Sequence, residues 1–114
     1  MSKYHARRTI LQNVVFDSQA EALRWMELQA LEQAGEITAL VRQPRYVLQE
    51  PFTDSDGKRQ RAITYVGDFA YVQDGRQVCE DVKGLYLPVF LLKAKLFRRR
   101  YPNIELRLTG GGRK

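Results

Sequence analysis

The sequence predicts an α/β fold with the element order α-β-β-β-α-β, and three observations predict it. A capped helix pattern with an apolar stripe begins at Ser18. Runs rich in Tyr, Val, Ile and Phe follow, separated by Gly- and Asp-containing turns. A second helical pattern opens at Pro88 and leads into a short alternating run.

Each element has a local reason. Residues 1–13 read as a basic, irregular arm. Ser18-Gln19-Ala20-Glu21 fits a capping box, and Gly35 supplies a C-terminal stop, so the first helix is expected from Ser18 to about Ala34. Leu23, Met26, Ala30 and Ala34 recur at helical spacing, with Leu28 and Leu31 widening the stripe. Glu36 to Gln43 read as a connector, since Pro44 disfavours helix before it. Arg45 to Phe52 read as a strand, and Thr53-Asp54-Ser55-Asp56-Gly57 as a turn. A long β run is expected from Gln60 to Val72, a hairpin turn at Asp74-Gly75, and a third strand from Gln77 to Lys83. Pro88 suits the first turn of a second helix to about Tyr101, with Val89, Leu92, Leu96 and Phe97 on its apolar side. Arg98, Arg99 and Arg100 fall in its last turn, where cations favour the helix dipole. Ile104 to Leu108 alternate as a last strand, and residues 109–114 read as a flexible tail.

Composition narrows the functional classes. A chain of 114 residues suggests a single domain, 1–114, with a small core. The net charge of +6 suits a polyanion such as nucleic acid. One cysteine, Cys79, excludes an internal disulfide and reads as a small core residue. With His5 as the lone histidine, a zinc site would lack ligands. No apolar run approaches a membrane span or a signal-peptide core, so the expectation is a cytoplasmic protein with no membrane partner.

The chemistry-bearing pattern is Gly67-Asp68 followed by Glu80-Asp81-Val82-Lys83-Gly84. A strand turns alternate residues to one face, so Asp81 and Lys83 share a face and Glu80 points away. A hairpin through Gln73-Asp74-Gly75-Arg76 carries Asp68 toward them.

With the element order, this pattern resembles the restriction-endonuclease-like superfamily, the PD-(D/E)XK nucleases. More closely, the chain is similar to a family of small phage- and prophage-encoded proteins within it. The matching residues are Phe16-Asp17-Ser18 with Glu21-Ala22, Gln43-Pro44-Arg45, Asp68-Phe69, Glu80-Asp81-Val82-Lys83-Gly84, and Lys93 with Lys95. The resemblance covers about Lys3 to Leu108, and the set in this order is more specific than any one piece. Gly67 stands where the superfamily name has proline. The resemblance implies a mixed central sheet flanked by helices and metal-dependent cleavage of DNA. It implies Asp68 and Asp81 as metal ligands, Lys83 beside the attacked phosphate, and Glu21 as a further acid. The implied cofactor is Mg2+, with Mn2+ as a substitute, because a hard ion takes carboxylate oxygens. Gln43 is a looser match, a polar group lining the site.

Each assignment has a plainer rival. Glu21 is also the capping-box glutamate, and the cap and ligand roles can coexist. Asp68 could be a turn or edge residue, and Asp81 with Lys83 a surface ion pair of little energy. Lys93 and Lys95 are expected at the DNA backbone, or with their heads in water along the apolar stripe. Arg42, Arg45, Lys58, Arg59 and Arg61 add to the positive field, as do His5, Arg7 and Arg8 if the arm grasps DNA. Tyr65, Phe69 and Tyr71 read as packing residues, Trp25 as the residue seating the first helix on the sheet, and Tyr86 as a substrate contact. The leading expectation is a phage-encoded DNA endonuclease, acting on branched DNA on the likeness of small junction resolvases, and a homodimer because cutting two strands calls for two sites. The competitors are a non-catalytic nucleic-acid-binding module that keeps the fold, and an RNA-directed or accessory phage protein.

Overall fold

Why the middle of this chain makes a sheet is clearest at its central hairpin. In the computed structural model, which describes residues 8–82 and 86–109, β8 (Phe69–Gln73) and β9 (Arg76–Val82) pair antiparallel from Gln73↔Arg76 to Phe69↔Glu80. Asp74 and Gly75 connect them with φ of 53° and 77°. Two successive left-handed residues match the twist of the flanking strands, as an Asp-Gly turn predicts. β9 then passes through α2 (Pro88–Arg100) to β10 (Ile104–Thr109), which lies parallel to β9. A parallel neighbour needs such a helical crossover. β3 (Thr38–Arg42) covers the other edge, antiparallel to β8, and the sheet order is β10-β9-β8-β3.

The remaining elements decorate this mixed sheet. β1 (Thr9–Leu11) and β2 (Val14–Phe16) form a hairpin turned by Gln12 and Asn13, both at positive φ. α1 (Gln19–Gln33) follows. β4 (Arg45–Gln49) pairs with β7 (Ile63–Val66), and β5 (Phe52–Thr53) with β6 (Arg59–Gln60).

Strand alternation divides the core between the two sheet faces. Phe69, Tyr71 and Val78 turn to α1, where they meet Leu28 and Ile37. Trp25 stacks on Phe69 with centroids 5.7 Å apart and planes at 14°, seating α1 as the sequence predicts. Cys79 turns to the opposite face, with Leu48, Tyr65 and Phe97. Burial pushes its thiol up to about 11, which suits a core residue and not a nucleophile. The result is a mixed α/β fold with a helix on each face of a mixed sheet.

Several sequence expectations need correction. The expected strand 45–52 ends at Gln49, and Phe52 pairs with β6 instead. Thr109, placed in the tail, ends β10 opposite Val82. Residues 8–13 do not continue as an irregular arm, because Thr9–Leu11 pair with β2. The connector 36–43 contains β3; a bulge between Thr38 and Val41, with Ala39 at φ 57°, breaks the alternation that would have marked it. The long run 60–72 is cut at Arg61-Ala62 and at Gly67-Asp68, and its pieces join three different sheets. The helix stripes are also partly rotated, although Leu28 and Phe97 are buried as expected. Leu23 and Met26 are exposed, whereas Glu21, Ala22 and Leu28 are buried. On α2, Val89, Leu92 and Leu96 face outward, and Ala94 and Phe97 are buried because the aromatic cluster of Tyr46, Tyr65 and Tyr101 receives Phe97. Parts of the expected arm and tail, at residues 1–7 and 110–114, and Lys83 and Gly84 lie outside the described residues.

Candidate functional site

The start of α1 builds the first side of the site. Ser18 is the N-cap, and its Oγ accepts the Glu21 N–H at 3.1 Å. That bond places Glu21 in the first turn, with only 5% of its surface exposed. Its carboxyl is pushed up to about 7, mainly by burial, then by the charges of Asp68 and Asp17. The Arg42 guanidinium and a hydrogen bond from the Asp17 backbone pull the other way. Glu21 thus gives its N–H to the Ser18 cap, while its carboxyl is a buried acid within the field of Asp68.

The break between β7 and β8 builds the second side. Gly67 N–H donates to Pro44 O at 3.0 Å, and Asp68 N–H donates to Glu80 O at 3.0 Å. Gln43 N–H in turn donates to Asp68 O at 2.9 Å. These bonds bind the end of β3, the β7–β8 corner and β9 together. The corner requires a residue without a side chain, since a Cβ on Gly67 would sit 2.6 Å from Cys79 Sγ. Asp68 is thereby aimed across the end of β9, where its Oδ2 accepts the Val82 N–H at 2.7 Å.

Two adjacent acids on β9 separate by parity. Glu80 faces α1 and is fully buried. Arg24 Nε and Nη2 donate to its two oxygens at 2.6 and 3.1 Å. The Tyr71 hydroxyl donates to Oε1, and Thr109 Oγ1 to Oε2 at 3.1 Å. This carboxylate is committed to locking α1 and β10 onto the sheet. Asp81 lies on the other face of β9 and is 1% exposed.

The structure thus brings Asp68 together with Glu21, with the Gln43 backbone and with the chain end just past Asp81. Lys83 lies outside the described residues. Among the described residues no three of His, Cys, Asp and Glu are grouped as a ready-made metal site. The chemistry of the donors nevertheless fits a divalent cation. They are oxygen ligands, and the Glu21 carboxyl is raised mainly by burial and then by the charges of Asp68 and Asp17.

The expected nucleic-acid residues are spread more widely. Gln43 is exposed, with φ of 53°. Arg45 is exposed and reaches Thr64 Oγ1 at 3.5 Å on β7. Tyr86 stacks on Phe90, with centroids at 5.8 Å. Lys93 is half-buried on α2, whereas Lys95 is exposed. Asp17 and Arg42 act on Glu21 more directly than the sequence suggests. Arg42 reads there only as part of a general positive field, because its strand is hidden by the Ala39 bulge.

Against known family models, residues 1–111 match the family described as "Protein of unknown function (DUF1064)". The chain belongs to this family. No curated protein and no solved structure matches it. The family description names no activity, so function has to be argued from the site. Among the described residues no helix is long and apolar enough to cross a membrane.

Proposed function

We propose that this DUF1064 protein is a metal-dependent DNA endonuclease with a restriction-endonuclease-like, PD-(D/E)XK arrangement. The observation that supports it most is the pairing of a buried Glu21 with Asp68 at the corner that also receives the end of β9. Carboxylates on a helix start and a sheet corner, next to Asp81, make an oxygen-donor set for one or two hard cations. Asp68, Asp81 and Glu21 would hold Mg2+, or Mn2+ in its place. When bound, such an ion lowers the pKa of a coordinated water and neutralises charge on the phosphate.

The chain's own groups do the rest. Lys83, two residues after Asp81 in the sequence, would supply an ammonium that favours hydroxide and the developing oxyanion. Lys93, Lys95, Arg45, Gln43 and Tyr86 bind the DNA backbone, a salt-sensitive contact that carries no sequence information. A domain this small has little surface for reading a long sequence, which favours recognition of shape, such as branched phage recombination or replication intermediates. Cutting both strands calls for two sites, and hence a homodimer.

The test is incubation with labelled four-way junction, duplex and single-stranded DNA, in Mg2+ or EDTA, beside Asp81→Ala and Lys83→Ala. Cleavage that needs the metal and is lost in both variants supports the nuclease. Binding without cleavage in Mg2+ and Mn2+ alike would sink it and favour a non-catalytic nucleic-acid-binding module.

A further inference from the structure

A cation stands inside the acidic corner and has a polar atom with nothing to bond. Arg42 ends β3, opposite Phe69 on β8. Its guanidinium lies over the Phe16 ring, 4.6 Å from the centroid. Phe16 is fully buried at the end of β2, so this platform holds the guanidinium plane in place. Arg42 Nε is buried and has no hydrogen-bond partner. Glu21, whose charge Arg42 feels, does not accept from it. A buried N–H normally has an acceptor, and its absence calls for an explanation such as an absent ligand. Arg42 as a whole is half-buried, so solvent reaches the rest of the side chain.

The chemistry of the missing acceptor follows from the group. A guanidinium is a planar fork that matches the oxygens of a phosphate, and it is always charged. The neighbouring residues, Glu21, Asp17 and Asp68, are acids that repel a phosphodiester. A fixed cation among them offsets that repulsion at the place where the backbone must approach. Arg42 also directly precedes Gln43, whose N–H bonds to Asp68 O, so the strand end that carries the guanidinium is tied to the site's corner.

We infer that Arg42 is a phosphate-binding residue, which donates to a non-bridging oxygen of the DNA backbone at the Asp68–Glu21 corner. This rests on the nuclease reading for its choice of anion, but it is read by binding and not by cleavage. The rival is a purely structural role, in which Arg42 only packs on Phe16 and balances Glu21.

The experiment is fluorescence anisotropy of a labelled duplex in Ca2+, from 50 to 200 mM salt, with wild type, Arg42→Met and Arg42→Lys. Methionine keeps an apolar stem on Phe16, and lysine keeps the charge. One lost phosphate contact lowers the slope of log K against log salt by about 0.9. Arg42→Met is therefore expected to bind more weakly with a slope shallower by about one. Arg42→Lys is expected to keep the slope and lose about 3–10-fold in affinity, because an ammonium lacks the fork. A folded Arg42→Met with the wild-type slope and affinity overturns the inference, even if wild type cuts DNA. If Arg42→Met does not fold, Arg42→Lys decides, and wild-type affinity in that variant overturns it. Weakened binding of the predicted kind by a protein that never cuts DNA would uphold Arg42 while sinking the nuclease. A wild type that binds no DNA overturns both.

Discussion

Burial opposes the charge on Glu21, and that has a measurable sign. Its carboxyl titrates near 4.5 in an exposed chain and at about 7 in the folded one. Between those values the folded state holds more protons than the unfolded state, so stability falls as pH rises through that window and stays reduced above it. Glu21→Gln removes the penalty. At pH 8 it should raise stability by about 2 kcal/mol, and at pH 4 by almost nothing. Thermal unfolding across that range checks it; equal Tm values at pH 8 would contradict the buried-acid assignment. Gly67 makes a second residue-scale claim. Since a Cβ there meets Cys79 Sγ at 2.6 Å, Gly67→Ala should destabilise by about 1–3 kcal/mol. Because the clash is with one sulfur atom, adding Cys79→Ala should recover part of that loss in a double-mutant cycle. Simple additivity of the two changes would show that the close approach is not the cause.

At the scale of elements, α1 is held to the sheet by one buried charge as well as by Trp25 and Leu28. The Glu80 carboxylate is fully buried, and Arg24 is its cation. Burial raises the Tyr71 hydroxyl's pKa and Glu80 raises it further, so Tyr71 stays a donor to that carboxylate. Arg24→Met strands the charge and should cost about 3 kcal/mol in chemical denaturation. Glu50→Gln breaks the exposed Arg100–Glu50 pair and should cost less than about 1 kcal/mol. Similar losses for the two would deny Glu80 its locking role. This element also shows what a sequence can and cannot reveal. The α1 boundaries were legible, because Ser18 caps it and Gly35 (φ 79°) lets the Glu36 N–H reach Leu31 O. The buried face was not, because it carries Glu21 and the partly buried Arg24, whose partners lie far along the chain. The Asp74-Gly75 hairpin is local and was read correctly. β3 and the break at Gly67 depend on bonds to Asp68, Pro44 and Glu80 that no local pattern encodes.

For the whole molecule, the topology explains why acids from distant segments meet. α1 starts where β2 ends, β3 and β8 are neighbours, and β9 runs alongside β8 with its end at the same corner. That Glu80 and Asp81 take opposite faces of β9 was legible from strand parity, and Glu80 is the acid that meets Arg24 on α1. The placing of Arg42 was not legible, since it arises from β3 and Phe16 folding together. On the proposed function, this corner is a metal-dependent nuclease centre organised on Asp68. Single-turnover cleavage of labelled junction and duplex DNA, with wild type and Asp68→Asn in Mg2+, tests it most directly. The predicted result is cleavage by wild type that EDTA abolishes and a rate at least about 100-fold lower in the folded variant, equivalent to about 2.7 kcal/mol of lost stabilisation. Equal rates for the two proteins, or no cleavage by wild type on any of these DNAs with Mg2+ or Mn2+, would contradict it.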